Sequence, residues 1–353
     1  MARPPRPGRP LPLRLPHRLP HRALALLAAL LLGAVLLSAC GSDDEVEAGA
    51  ACGPEPLEED GRIWDCVLDE DFDGTVLDTS VWSIVSSAET GYRNGPECYR
   101  GDAGDNVEVA DGELRLTATQ EDEEFTCPSI NGGFKSRYVG AFVSTFGKLA
   151  VRYARVEIRA AFPESTKPGT HSALWLYPDP QVEQGKASGE LDIGEYYSYV
   201  SNRVNAAAYY KRAVGTSPVL SGCRVADPEE FHTYFLVWDE DKIRVLYDGE
   251  PCLEHDIEPA SDTRAEPFGS PYAVNLLQAL SPNGTMNQLD PDDSPLPGTM
   301  RIDYVRVWEA SCGSGSTQGA ALRSAEEPEL PEEPGGESAE PSEEPCPDGT
   351  DEG

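Results

Sequence analysis

The sequence predicts an all-β fold, an antiparallel sandwich or barrel over residues 61–310, and three observations carry that expectation. Apolar and polar residues alternate with period two, as in strands buried on one face. Turn residues interrupt the alternation every eight to twelve residues. No stretch sustains a 3.6-residue period over three turns, which argues against βαβ units around a parallel sheet. Some 250 residues of evenly spaced strands make one large domain.

The strands can be read in order. In NVEVADGELRLTAT (106–119), Val107, Val109, Leu114 and Leu116 alternate with polar residues around Asp111-Gly112, a pair that favours a tight hairpin turn. KLAVRYARVEIRAAF (148–162) reads as a strand, and FHTYFLVWDEDKIRVLYDGEPC (231–252) as a hairpin turning at Asp239-Glu240-Asp241. TMRIDYVRVWEA (299–310) closes the pattern. Trp82, Trp238 and Trp308 lie in strand-like runs and are candidate core residues.

The flanks differ in kind. Residues 1–39 begin with six arginines and no acid, then run through the apolar Ala23–Leu37, short for a membrane span. This is the form of a signal peptide. It ends in Leu37-Ser38-Ala39-Cys40, which resembles a bacterial lipobox and makes Cys40 the expected lipidation site. An ordinary cleaved signal peptide is the plainer alternative. Residues 40–60 are expected to be an acidic spacer from the lipid tether, and 311–353 an acidic, Pro-rich disordered tail. The expected location is the outer face of a bacterial cell membrane, held only by lipid, or else outside the cell.

Over the whole chain 62 acidic residues outnumber 28 basic ones, giving a net charge of −34. A nucleic-acid partner is thereby disfavoured, because phosphate contacts require basic faces. Nine cysteines without a CxxC pair, and five histidines of which two lie in the leader, do not form a metalloenzyme pattern. An exported chain makes disulfides expected. From position we expect Cys98–Cys127, Cys223–Cys252 and Cys66–Cys312.

The unusual segment is Glu190-Leu191-Asp192-Ile193-Gly194-Glu195. On a regular strand Glu190 and Asp192 share one face while Leu191 and Ile193 point into the core. Glu195 would then face the core, unless a one-residue bulge, for which Gly194 suits the chain, turned it back. Crowded, half-buried carboxyls raise each other's pKa. Glycoside hydrolysis uses two such groups, one to attack the anomeric carbon and one to protonate the leaving oxygen. A solvated acidic face on an edge strand is the alternative; the flanking aromatic run and the glycine favour a site.

The segment GELDIGEYY resembles the Glu-x-Asp-x-x-Glu strand of glycoside hydrolase family 16, in its laminarinase-like branch. The resemblance extends over DEDFDGTVLDTSVWSIV (69–85), DNVEVADGELRLTAT (105–119), YARVEIRAAFP (153–163), HSALWLYP (171–178), FHTYFLVWDEDKIRVLYDG (231–249) and PLPGTMRIDYVRVW (295–308). It implies a β-jelly-roll sandwich with a sugar-binding concave face. It implies Glu190 as nucleophile, Asp192 as its assistant, Glu195 as general acid/base and Trp175 as a sugar-stacking platform. Gln278 is a further candidate for a hydrogen bond to sugar. Asp303 falls where some members bind a structural calcium; no cofactor is otherwise required.

Two departures stand out. Many members carry a histidine on the strand after the signature, and the nearest position here holds Tyr209, a candidate substrate contact. The family's Trp-Pro-Ala-Phe-Trp appears as His171-Ser172-Ala173-Leu174-Trp175, so one platform aromatic is missing. His171 could take a sugar hydroxyl, although a surface position at a strand end is the plainer expectation. The resulting expectation is a monomeric retaining hydrolase of β-glucan, most of all endo-β-1,3-glucan. A noncatalytic glucan-binding lectin and a transglycosylase are the alternatives on the same scaffold.

Overall fold

The computed structural model describes Cys52 and residues 57–59, 62–102, 104, 106–165, 167–179, 189–211, 218–259 and 267–311. The described strands begin with β1 (Leu57–Glu59), β2 (Arg62–Glu70) and β3 (Ser83–Ile84), followed by the single turn of helix α1 (Ser87–Thr90). Next come β4 (Cys98–Tyr99), β5 (Val107–Ala110), β6 (Glu113–Cys127), β7 (Phe134–Ser144), β8 (Ala154–Ala161) and β9 (Thr170–Pro178). β10 (Glu190–Tyr197), β11 (Arg203–Tyr209), β12 (Val219–Arg224), β13 (His232–Trp238) and β14 (Lys242–Tyr247) continue the chain. β15 (Glu250–Asp256), β16 (Tyr272–Leu280) and β17 (Gly298–Ser311) complete it.

These strands form the expected jelly-roll sandwich. One sheet runs β3-β7-β16-β9-β10-β11-β12. The other is organised on β17, whose first half pairs with β6 and whose second half pairs with β2. The opposite edge of β17 meets β8, followed by β13, β14 and β15. The 15-residue β6 joins the two, pairing with β17 at its start and β7 at its end.

The core lies between the sheets. Leu174, Leu176, Leu191, Ile193, Val274 and Leu276 from the first sheet meet Val156, Ile158, Leu236, Val305 and Val307 from the second. Trp238 is fully buried, and its indole N–H donates to the Phe268 carbonyl at 3.2 Å, so no polar group is stranded there. All nine residues of β16 are buried, because this strand is covered on both faces. Its outer face joins Val85, Tyr99, Phe142 and Ala173 in a second apolar patch on the outer side of the first sheet.

The predicted hairpin at 106–119 forms, with Asp111 and Gly112 at φ 57° and 75°, as a two-residue turn that follows the strand twist demands. Residues 231–252 contain the expected turn and a second one at Asp248-Gly249, with φ 50° and 80°. In 148–162 only Ala154–Ala161 is continuous strand. Tyr153 has φ 54° and Val151 bridges separately to Tyr272.

Cys98–Cys127 and Cys223–Cys252 are bonded as expected. Cys66 is not bonded to Cys312, which lies outside the described residues; it pairs with Cys52. β1 folds back antiparallel on β2, and Cys52, upstream of β1, lies beside Cys66. The folded unit therefore starts earlier than Gly61, and Cys52 packs with Trp64, Val237 and Trp308. The leader, Cys40 and the tail from 312 onward lie outside the described residues.

Asp303, the candidate calcium residue, has its carboxylate ion-paired to the Arg159 guanidinium from the adjacent β8. Among the described residues no cluster of three His, Cys, Asp or Glu is placed to hold a metal ion.

The Cys52–Cys66 bond closes a separation of 14 residues. Replacing both by serine should destabilise the domain by about 2–3 kcal/mol through the freed chain entropy, read as a lower midpoint in chemical denaturation.

Candidate active site

The site is built on β10, between β9 and β11. Glu190 and Asp192 stand opposite Tyr209 and Ala207 of β11, while Leu191 points into the core. After Asp192 the register slips: Asp192 faces Trp175 and Gly194 faces Leu174, so Ile193 is an extra residue in the ladder. Ile193 and Gly194 both occupy the core side, and Glu195 emerges on the same face as Asp192. A Cβ on Gly194 would come within 3.3 Å of Val204 and 3.4 Å of Tyr234, so glycine lets the bulge settle against the opposite sheet. The carbonyl of Ile193 accepts from the Tyr247 hydroxyl of β14 at 2.9 Å. A bulge leaves a ladder group unpaired, and this buried hydroxyl satisfies it.

The three acids differ electrically. Glu190 is partly exposed, and burial followed by the charge of Glu195 pushes its carboxyl up to about 7. Asp192 is 4% exposed, its Oδ2 has no partner, and burial with both neighbouring charges drives its pKa far upward. Of the three it is the acid whose surroundings most oppose ionisation. Glu195 is also buried, and burial raises its pKa, yet the hydrogen bond and charge of His171, with the hydrogen bond from Tyr197, outweigh it and hold the carboxyl below the usual range. The Tyr197 hydroxyl donates to Glu195 Oε1 at 2.7 Å, and His171 Nε2 lies 3.3 Å from the same oxygen. One strand thus carries acids shifted in opposite directions.

An aromatic floor adjoins them. Trp175, opposite Asp192, lies 5.9 Å from the Phe142 ring and 5.9 Å from Tyr177, and its Nε1 has no partner in the protein. Tyr209 is exposed beside Glu190 and feels the charge of all three acids. Trp175 and Tyr209 therefore do reach the carboxylate face. Gln278 does not. It shares the core side of β16 with Leu276, is fully buried, and accepts from the Ser172 hydroxyl at 2.6 Å. Strand parity turns it away from the groove, and the sequence-based expectation of a sugar contact there is withdrawn.

His171 also departs from expectation. It is a buried groove residue, stacked on Tyr197 with ring centroids 4.3 Å apart. Three further residues escaped the sequence reading because a loop brings them from far away. Tyr92 packs on Phe142, Asn94 reaches His171, and the fully buried Glu97 accepts from the Tyr99 hydroxyl at 2.5 Å. Only Tyr197 carried a local signal, two residues beyond Glu195 and hence on its face.

A family model described as "Glycosyl hydrolases family 16" matches residues 97–306. The chain belongs to this family. It is 29% identical over 264 residues to "Glucan endo-1,3-beta-glucosidase A1" of Niallia circulans, an alignment covering 69% of this chain and 37% of that protein. It is 27% identical over 261 residues to a beta-glucanase of Rhodothermus marinus, covering 69% of this chain and 85% of the other. Among solved structures, the laminarinase of Rhodothermus marinus matches with a TM-score of 0.60 at 25% identity, over 72% of this chain and 99% of that one. The catalytic domain of a Thermotoga petrophila endo-1,3-beta-glucanase matches at 0.58 and 25%, over 70% and 99%. The chain thus spans well under half of the Niallia circulans protein and most of the smaller family 16 domains.

Two expected outcomes test the site's construction. Tyr247→Phe strands the buried Ile193 carbonyl and should cost about 1–3 kcal/mol in urea unfolding. Glu190 binds its proton more tightly folded than unfolded, so its ionisation weakens the fold progressively as pH rises from about 4.5 to about 7. Glu190→Gln should therefore match the parent at pH 4 and exceed it by ~1–3 kcal/mol at pH 8.

Proposed function

We propose that the protein is a retaining endo-β-1,3-glucanase acting on laminarin-type chains by double displacement. The supporting observation is the bulged strand, which sets Glu190 and Glu195 on one face around Asp192, beside an aromatic floor. Two relatives are named for β-1,3-glucan or β-glucan cleavage, and both matched structures are described as laminarinase or endo-1,3-β-glucanase.

In this reading the Glu190 carboxylate attacks the anomeric carbon, and Glu195 protonates the departing glycosidic oxygen. Glu195 then takes a proton from the water that hydrolyses the glycosyl ester on Glu190. Asp192, kept protonated, donates a hydrogen bond that steadies its ionised neighbour. Trp175 offers an apolar face to the pyranose ring. Tyr209 lies where it can take a hydroxyl of the sugar next to the cleaved bond.

Burial and the neighbouring charge favour the proton on Glu190, and the donors around Glu195 favour the charge there, the reverse of what attack requires. Substrate binding has to move that proton. The leaving oxygen against Glu195 favours a protonated carboxyl there, and the developing positive charge at the anomeric carbon favours an ionised Glu190. A pure lectin would have no use for three crowded acids.

Outside the described residues, Leu37-Ser38-Ala39-Cys40 supports an exported lipoprotein, tethered at Cys40 and otherwise secreted, acting as a monomer on polysaccharide. Incorporation of labelled fatty acid, lost in Cys40→Ser, is the expected result.

Glu190→Gln and Glu195→Gln should each lower laminarin hydrolysis by at least ~10³-fold in a reducing-sugar assay. A 2-deoxy-2-fluoro glycoside should leave a covalent mass adduct on Glu190, while an adduct on Glu195 would exchange the two roles. Trp175→Ala should raise KM by roughly tenfold, equivalent to about 1.4 kcal/mol of lost stacking. Turnover by Glu190→Gln at the parental rate would end the assignment.

A further inference from the structure

Histidine reaches the acid pair from an unexpected direction. The resemblance places an imidazole on the strand after the signature, where β11 carries Tyr209. Here His171 arrives from β9 on the opposite side of β10, at the position where the family pattern has tryptophan. Its ring lies flat on Tyr197, with an interplanar angle of 6°, and both side chains direct a polar atom at the same oxygen, Glu195 Oε1.

The other edge of the ring fixes which nitrogen carries the proton. Asn94 Nδ2 donates to the Leu280 carbonyl at 3.0 Å, an acceptor that only the amide nitrogen can face. The same nitrogen lies 3.3 Å from His171 Nδ1. Nδ1 is therefore the acceptor, and the proton of the neutral ring sits on Nε2, pointing at Glu195. Held this way, the ring presents its Nε2–H to Glu195 and its Nδ1 to Asn94.

We propose that Asn94 and His171 form a positioning relay for Glu195. Asn94 locks the Nε2–H tautomer, and the imidazole, together with Tyr197, sets how readily Glu195 holds a proton. With two donors converging on Oε1, proton exchange with substrate falls to Oε2. The relay rests on the proposed role of Glu195 and adds the residues that tune it.

The other titratable groups around the ring are accounted for. Tyr197 lies beneath it, Glu97 acts on it from the strand-β4 side, and Asp192, Glu190 and Tyr209 lie beyond Glu195. Glu97 is buried, and burial raises its pKa, so it brings less negative charge to the ring than an exposed carboxylate. Glu195 is the acid that the ring touches.

The test is a carboxyl ¹³C NMR titration of the full chain with labelled glutamate, Glu195 being assigned by its absence from Glu195→Gln. In His171→Ala the Glu195 titration should rise by roughly one unit, because a donor to the ionised form is lost. His171→Gln, which keeps an N–H donor, should return it part of the way. Asn94→Leu should shift it in the same direction by less, and gives the answer if His171→Ala does not fold. On laminarin, His171→Ala should lower kcat more than it changes KM and move one limb of the pH profile upward. An unmoved Glu195 titration in folded His171→Ala and Asn94→Leu overturns the relay. So does a higher KM with unmoved limbs, which would make His171 a sugar contact. A moved titration in a protein that does not cleave laminarin upholds the relay and removes only the glucanase reading.

Discussion

The hydrogen bond from Tyr247 to the Ile193 carbonyl holds together the feature on which the site depends. Strand geometry alternates side chains strictly, so two acids five positions apart fall on opposite faces. One inserted residue cancels that. The insertion is stable here because its two side positions are absorbed by the core: Ile193 packs there, and Gly194 leaves room for Val204 and Tyr234. The carbonyl released from the ladder is met by a hydroxyl from the other sheet. The catalytic face of one sheet is thus determined partly by the packing of the second.

What the bulge assembles is electrostatically unfavourable. Three carboxyls share a small, half-buried surface, and burial and mutual repulsion both oppose ionisation. The protein relieves the conflict unevenly rather than uniformly. Asp192 receives no partner for Oδ2 and its pKa is driven up, whereas Glu195 receives two donors and its pKa is held down. Glu190, nearest to solvent, titrates around neutrality. Acids differing in this way suit a reaction in which one carboxyl attacks while another exchanges protons, and the same inequality explains why the fold tolerates them together.

The groove walls come from parts of the chain that are distant in sequence. The loop before β4 brings Tyr92, Asn94 and Glu97 against β9 and β10, and the Cys98–Cys127 bond ties the start of β4 to the end of β6. β16 contributes the Leu280 carbonyl that orients Asn94. A position near one strand end thereby affects the proton affinity of an acid on another.

The residues alone determined the sandwich class, the Asp111-Gly112 hairpin, and the face shared by Glu190 and Asp192. These follow from local physics: side-chain alternation and the φ > 0 demand of tight turns. The need for a bulge was also legible, because Glu195 had no other way to join its neighbours. Only the tertiary structure decided what sequence parity leaves open. Gln278 turned inward because it shares the parity of Leu276 on the core side of β16, and Asp303 found Arg159 because β8 and β17 are neighbours in space. Cys66 pairs with Cys52, upstream of the strand that doubles back on β2. His171 passed from an expected surface position to a buried partner of Glu195 because its environment is made by Asn94 and Tyr197, and proximity across a sheet leaves no trace in linear spacing.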